Sequence, residues 1–280
     1  MLLMFMYHRI LPWEQADAIS IEQFNRQLNY LKKNFEFLSP EKVIDFINGD
    51  LEKSRRKYFA LSFDDGWLDN WLYATEVLQK HDLRAILAQS TSNLHDAPLR
   101  NSEAEKLLRL DMTDAQKLAA QGDFRLYLNN SELAAMHNSG VWRIEAHGTL
   151  HQQDERGVSK LAAAAVGQNK DDFQQFLRND IVNCCTKIKE ITSKTPKMFF
   201  WPWGQYSQVA LEVVKDLSLL QFTVSKGAIK YSDKRLVLPR IGVSPRWTKF
   251  RKNCKVFSSS FLTSIHSCFN TIKVNCDEFM

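Results

Sequence analysis

The run Tyr58-Phe59-Ala60-Leu61-Ser62-Phe63-Asp64-Asp65-Gly66 (YFALSFDDG) decides the fold. Up to Phe63 it is apolar except for Ser62, without the strict alternation of a half-exposed strand. Such a run is a strand covered on both faces, the habit of parallel sheets flanked by helices. Two carboxylates and a glycine then stand at its C-terminal end. Upstream, Leu2–Tyr7 reads as a first strand, and Ser20–Lys33 as a helix with Ile21, Phe24, Leu28 and Leu31 on one face. Phe35–Leu38 reads as a short strand, and Pro40 opens a helix carrying Val43, Phe46 and Ile47. Downstream, the pattern predicts strands at Ala85–Ala88, Arg143–Ala146, Met198–Trp201, Phe222–Val224 and Leu236–Leu238. Helices are predicted through Ala74–Gln79, from an N-cap at Ser131 to Gly140, over Lys160–Thr192 with a break near Gly167, and over Ser207–Leu217. This rhythm is parallel α/β, and its strand count suits a barrel better than a five-stranded open sheet.

The 280 residues leave room for one large domain or two small ones, and enough chain to bury a full core. Thirty-seven Lys and Arg against thirty-two Asp and Glu leave a charge of +5. It is spread along the chain, not gathered into the basic stripe of a nucleic-acid binder. No apolar run approaches the ~20 residues of a membrane span. The opening MLLMFMYHRILP has no basic n-region and no small-residue cleavage site, so it reads as a buried strand and not a signal peptide. The expectation is a soluble, cytoplasmic protein. Five cysteines are an odd number; Cys184 and Cys185 are adjacent and cannot pair with each other, which points to reduced thiols. Residues 93–130 are polar and aperiodic, an insertion into a domain spanning 1–248. Residues 249–280 lose the rhythm and read as a tail or peripheral cap.

Chemistry collects at the C-terminal ends of the predicted strands, the face on which barrels assemble active sites. His8 follows the first strand and Asp64–Asp65 follow YFALSF. His147, with His151 four residues on, follows RIEA; Trp201-Pro202-Trp203-Gly204 follows MFF; Arg240 follows LVLP. Adjacent carboxylates diverge in direction, so one can hold a cation while the other stays free as a base. A spacing of four brings two imidazoles to one side of a helical turn, and a carboxylate from another strand completes a two-His, one-carboxylate metal set. That set serves zinc hydrolases and non-haem iron oxygenases alike; the second carboxylate, a base beside the metal, favours hydrolysis. His8 on the same face is a candidate general acid. The Trp-rich loop, with Pro202 and Gly204 shaping its turn, offers faces on which sugar rings stack.

At these residues the chain resembles the polysaccharide deacetylases (NodB homology, carbohydrate esterase family four). FALSFDDGWLDNW is similar to their first motif, RIEAHGTLH to the second and FFWPWGQY to the third, together covering about Met1 to Arg246. The resemblance implies a distorted (β/α)7 TIM-like barrel, here with an insertion and an atypical C-terminal tail. It also implies metal-dependent removal of N-acetyl groups from amino sugars of a surface polysaccharide or its nucleotide- or lipid-linked precursor. It makes Asp64 the base, makes Asp65, His147 and His151 the ligands of one divalent ion, and gives the Trp203 N–H to the oxyanion. Zn2+ is the expected ion, with Co2+, Ni2+ or Fe2+ as others such a set takes. Arg240, with Trp201, Pro202 and Gly204, falls among the substrate-binding residues. Where the family often carries an arginine in the third motif, this chain has Phe200, so support for the base is missing or comes from elsewhere. MYHRI and FWPWG are similar to the poly-N-acetylglucosamine deacetylase branch, which takes its acid from the first strand; that implies His8, and His266 in the tail lacks the family's context. The rival readings are a metal hydrolase of a non-sugar amide and an inactive carbohydrate-binding relative.

Overall fold

The computed structural model describes residues 1–101, 109–165 and 167–259. In chain order the elements are β1 (Leu2–Tyr7), β2 (Ile10–Leu11), β3 (Ile19–Ser20), α1 (Ile21–Asn34), β4 (Glu36–Phe37), α2 (Pro40–Asn48) and β5 (Tyr58–Asp65). A π-helical turn (Asn70–Ala74) leads into α3 (Thr75–Lys80), followed by β6 (Ala85–Gln89), α4 (Met112–Ala120), α5 (Asn130–Asn138) and β7 (Trp142–Ala146). Then come α6 (Lys170–Thr192), β8 (Met198–Phe200), α7 (Gln208–Asp216), β9 (Leu220–Phe222), β10 (Val237–Leu238), β11 (Ile241–Gly242) and α8 (Trp247–Phe257).

The main sheet is parallel, in the order β10-β9-β8-β7-β6-β5-β1-β11, with β4 pairing the start of β5. Its two ends are successive halves of one bent strand. Val237–Leu238 pairs with β9, the chain crosses through Pro239–Arg240, and Ile241–Gly242 pairs with β1. The sheet thereby curls into a distorted seven-stranded barrel, as the family resemblance implies. Side chains alternate between two apolar layers, as the pleat requires. Leu2, Met4, Ala60, Ile86, Ala88, Met198, Phe200, Phe222 and Leu238 fill the barrel. Leu3, Phe5, Tyr7, Phe59, Leu61, Phe63 and Leu87 pack outward, under the helices. A strand buried on both sides must be apolar throughout, which explains the unalternating Tyr58–Phe63 run.

The helices start where short polar side chains can cap them. Ser20 and Gln23 form a reciprocal capping box on α1, and Asn129 and Glu132 form another on α5. The cap of α5 is therefore Asn129 and not Ser131. Of the segment predicted helical from Lys160, only Lys170–Thr192 forms α6; Asn169 caps it through the Asp172 N–H. The insertion contributes α4, which packs on Trp67, Leu68, Leu126 and Tyr127. The boundary read at residue 248 falls inside α8, whose Phe250, Cys254 and Phe257 are buried against the outer layer. The tail from residue 260 lies outside the described residues. Among the described residues no helix is long and apolar enough to cross a membrane.

Gly66 ends β5 with φ of +81°, and a Cβ there would lie 2.2 Å from Oε1 of the fully buried Gln89. Gly66→Ala therefore combines a left-handed backbone, worth ~1–2 kcal/mol against an L-residue, with a clash that displaces the buried Gln89 side-chain amide from its bond to the Ser90 carbonyl. The variant is expected to unfold at distinctly lower denaturant than the wild type. Wild-type stability in chemical denaturation would contradict this account of the turn.

Candidate active site

Strand alternation places the first polar residues. Continuing the inward set of β1 and β5 upward gives Ser62, Asp64 and, just past β1, His8. The same rule would send Asp65 outward, beneath the helices. Its backbone instead turns left-handed, with φ of +77°, and carries the carboxylate back over the barrel mouth. There its Oδ1 lies 3.2 Å from His147 Nε2 and 3.3 Å from His151 Nε2. Its Oδ2 accepts the Trp67 Nε1–H at 3.1 Å and lies 4.0 Å from His8 Nε2. One ligand atom from each of Asp65, His147 and His151 falls within 4.8 Å of the others.

This cluster suits a cation. His147 Nδ1 lies 2.7 Å from the Phe200 carbonyl, which can only accept, so Nδ1 carries a proton and Nε2 is the ring nitrogen that faces the cluster. Burial first, against the pull of Asp65, pushes His151 down to about 4 and keeps it neutral. Burial opposes charge on His147 too, but its bond to Asp65 and the two carboxylate charges outweigh that and raise it. Asp65, despite burial, is held well below the usual carboxylate range by His151, His147 and His8. A carboxylate that stays ionised and two imidazoles converging on it match an N/O metal set.

His147 and His151 do not share a helical turn, as their spacing predicts; they converge through an irregular loop. Gly148 bends it at φ of +86°, and Asp180 of α6 accepts the N–H groups of Thr149 at 2.8 Å and Leu150 at 2.9 Å. Thr149 Oγ1 donates back to the Asp180 carbonyl at 2.7 Å. Burial, only partly offset by those two N–H groups, pushes Asp180 up to about 6. Asp180 escapes motif reading, yet it leaves a signal. It sits on the buried stripe of α6 with Leu177, Ile181, Cys184 and Ile188, where a carboxylate needs a partner.

Asp64 is buried beside this cluster. Arg240, fully buried, donates to Oδ1 at 2.6 Å and Oδ2 at 2.8 Å, and also to Ser62 Oγ and the Thr223 carbonyl. Burial alone would raise the Asp64 carboxyl; the Arg240 charge and then His147 overcome it and hold the group low. The guanidinium lies over the Phe200 ring, 4.7 Å from its centroid. Arginine support for Asp64 thus arrives from the β10–β11 crossing, above the residue that replaces the family's usual arginine. Arg240 is enclosed beneath Asp64 and offers no open face to a substrate.

The Trp-rich loop divides. Trp201 is fully buried, donates from Nε1 to Gln221 Oε1 at 3.2 Å and packs edge-on to Phe199. It is core, and its reading as a sugar platform is corrected by that burial. Trp203 is partly exposed and left-handed, φ +54°, and stacks on His151 with centroids 4.1 Å apart. Pro202 and Gly204 are buried supports of the turn; a Cβ on Gly204 would lie 2.5 Å from Val224 Cγ2.

A family model described as polysaccharide deacetylase matches residues 52–222. Among solved structures, IcaB from Ammonifex degensii is similar with a TM-score of 0.70 at 20% identity, over 87% of this chain and 92% of that one. A de-N-acetylase from Aggregatibacter actinomycetemcomitans is similar with a TM-score of 0.71 at 18% identity, over 90% and 99%. The Streptococcus pyogenes deacetylase PplD, solved in complex with acetate, gives a TM-score of 0.67 at 18% identity, over 92% and 98%. At such identities these likenesses establish a shared fold. No curated protein matches the chain.

Arg240→Met would leave the Asp64 charge buried without its partner, a loss of ~3–5 kcal/mol at pH 7. In the wild type the Asp64 carboxyl is depressed, so the pair stabilises above the unfolded carboxylate pKa of ~3.9 and is lost as pH falls through the lower folded value. In the variant, burial dominates and raises the carboxyl, which takes up a proton on acidification. The stability deficit relative to wild type should therefore shrink between pH 7 and pH 5 in urea titrations. A deficit that stays constant with pH would contradict the pairing.

Proposed function

We propose, from the premise that this chain belongs to the polysaccharide deacetylase family, that it hydrolyses the N-acetyl amide of an amino sugar in a surface polysaccharide or its precursor, releasing acetate. The observation that carries this reading is the convergence of Asp65, His147 and His151 within 4.8 Å, beside a second buried carboxylate, Asp64. Asp65, His147 and His151 would hold one divalent cation, with zinc favoured by two imidazoles and a carboxylate. Such a cation, when bound, lowers the pKa of water and polarises the acetyl carbonyl.

The chain's own residues supply the proton movements. Asp64, kept ionised by Arg240, accepts the proton of the attacking water as the new C–O bond forms at the acetyl carbon. The Trp203 N–H, aimed by its left-handed backbone, faces the oxygen that gains charge. His8 gives its proton to the amide nitrogen as the C–N bond breaks, so a neutral amine departs and acetate remains. An amine is a poor leaving group unless protonated, and imidazole suits that task near neutral pH. The stacked Trp203 leaves an aromatic edge at the mouth where a sugar ring can rest.

Purified protein is expected to carry about one divalent ion by elemental analysis, and His151→Ala to lose most of it. Full occupancy in an Asp65→Ala, His147→Ala double variant would overturn the ligand assignment.

Asp64→Asn keeps the side chain's size but cannot take the proton, and it weakens the pair with Arg240, so its activity is read on protein shown to be folded. Its metal content should match wild type, while acetate release from N-acetylglucosamine oligomers falls by about a hundredfold or more. Wild-type protein with its metal bound that releases no acetate from any N-acetylated sugar would defeat the proposed reaction.

A further inference from the structure

The segment that carries Asp64 and Asp65 also grips the backbone around His8. Asn70 Nδ2 donates to the His8 carbonyl at 2.8 Å, and Asp69 Oδ1 accepts the Ile10 N–H at 2.8 Å. Asp69 Oδ2 accepts from Arg9 Nε at 3.1 Å, and Arg9 in turn lies over the Trp67 ring, 5.2 Å from its centroid. Trp67 is the residue that donates to Asp65. Three consecutive residues after β1 are thus tied to one short turn, and that turn is tied to the metal-site carboxylate. Asp69, Asn70, Arg9 and Trp67 are all buried.

Asn70 is held there at a cost. Its Nδ2 faces two acceptors, the His8 carbonyl and Asp69 Oδ1 at 3.0 Å, so the amide cannot be turned over without setting oxygen against oxygen. That orientation leaves Asn70 Oδ1 buried with no hydrogen-bond partner among the described residues. An unpartnered buried acceptor destabilises a fold, and a side chain chosen for stability alone would omit it. Asn70 also begins a π-helical turn, a rare geometry that is frequent at functional sites.

We infer that Asn70, with Asp69, is a positioning residue for His8, fixing the reach of that imidazole toward the scissile nitrogen by clamping its backbone to the turn that bears Asp65. The inference rests on the proposed role of His8 as general acid. It extends that role by assigning what holds the acid in place. The His8 side chain is 31% exposed and among the described residues no hydrogen bond locks its ring, so the fixed backbone on either side is what limits its excursion.

The test compares Asn70→Ala with His8→Ala on two acetylated substrates, an N-acetylglucosamine oligomer and an activated aryl acetate whose leaving group needs no proton. For Asn70→Ala we expect amide turnover to fall about tenfold or more in kcat, aryl acetate turnover to stay near wild type, and metal content to be unchanged. Because the substitution removes an orphaned acceptor along with the two hydrogen bonds that Nδ2 donates, its melting temperature should stay close to wild type. His8→Ala should show the same substrate split, larger. If His8→Ala shows the split and Asn70→Ala leaves amide turnover intact, or lowers both substrates equally, the positioning role is wrong while the acid assignment stands. If His8→Ala itself leaves amide turnover intact, the acid assignment fails and the positioning role falls with it. Asn70→Asp, which sets a carboxylate against the His8 carbonyl, supplies a second variant and should lose amide turnover at least as strongly.

Discussion

The bidentate contact between Asp64 and Arg240 is the constraint on which the rest of the barrel depends. A carboxylate and a guanidinium, both shut away from solvent, are costly to bury unless each satisfies the other. Here the geometry is close to complete: both carboxylate oxygens are paired, and the guanidinium also reaches Ser62 and the Thr223 carbonyl. Arg240 stands at the crossing where the sheet's last strand leaves β9 and joins β1. The same ion pair therefore marks the seam of the barrel and sets the charge of the residue beside the Asp65–His147–His151 cluster. Fold closure and site electrostatics are one requirement.

A second constraint is directional. A strand sends neighbouring side chains to opposite faces, but the site uses two neighbouring carboxylates at one mouth. The chain reconciles these demands by turning Asp65 left-handed, following it with a glycine that is left-handed too, and packing Gln89 into the space a Cβ on that glycine would fill. Strain at Asp65 is held by its contacts with Trp67, His147 and His151. Sparsely populated backbone states persist where the surroundings over-determine them, and this turn is such a place.

Much of this was legible in the sequence, for identifiable reasons. The apolar YFALSF run and the strand–helix rhythm follow from burial on both faces, so the barrel and the strand ends that carry His8, Asp64, Asp65, His147 and His151 could be read directly. Contacts formed across long separations could not. Phe200 could be seen to break the expected motif, but only three dimensions show Arg240 passing over its ring to reach Asp64. Trp201 and Trp203 look alike in sequence; one strand end buries the first and a left-handed residue exposes the second. The histidine spacing suggested a helical turn because periodicity does not register Gly148 or a carboxylate thirty-one residues away gripping the loop. Beyond its first two residues α8 reads as tail because basic residues dilute its apolar stripe, although Phe250, Cys254 and Phe257 keep helical spacing.

The seam has a consequence for how the molecule is made. Asp64 leaves the ribosome 176 residues before Arg240 does. Until the final strand emerges, a nascent chain that packed β1, β5 and β6 together would have to bury an uncompensated carboxylate, protonate it, or leave that end of the sheet open to water. The third course is the one available at neutral pH without a large penalty. Synthesis from the N-terminus can thus consolidate the outer layer of Phe5, Leu61 and Leu87 early, while the mouth of the barrel stays unsealed. The Asp64–Arg240 pair is acquired only with the last turn of the chain around the barrel, so a truncated or stalled product would have much of the hydrophobic framework and a carboxylate at the mouth still without its partner.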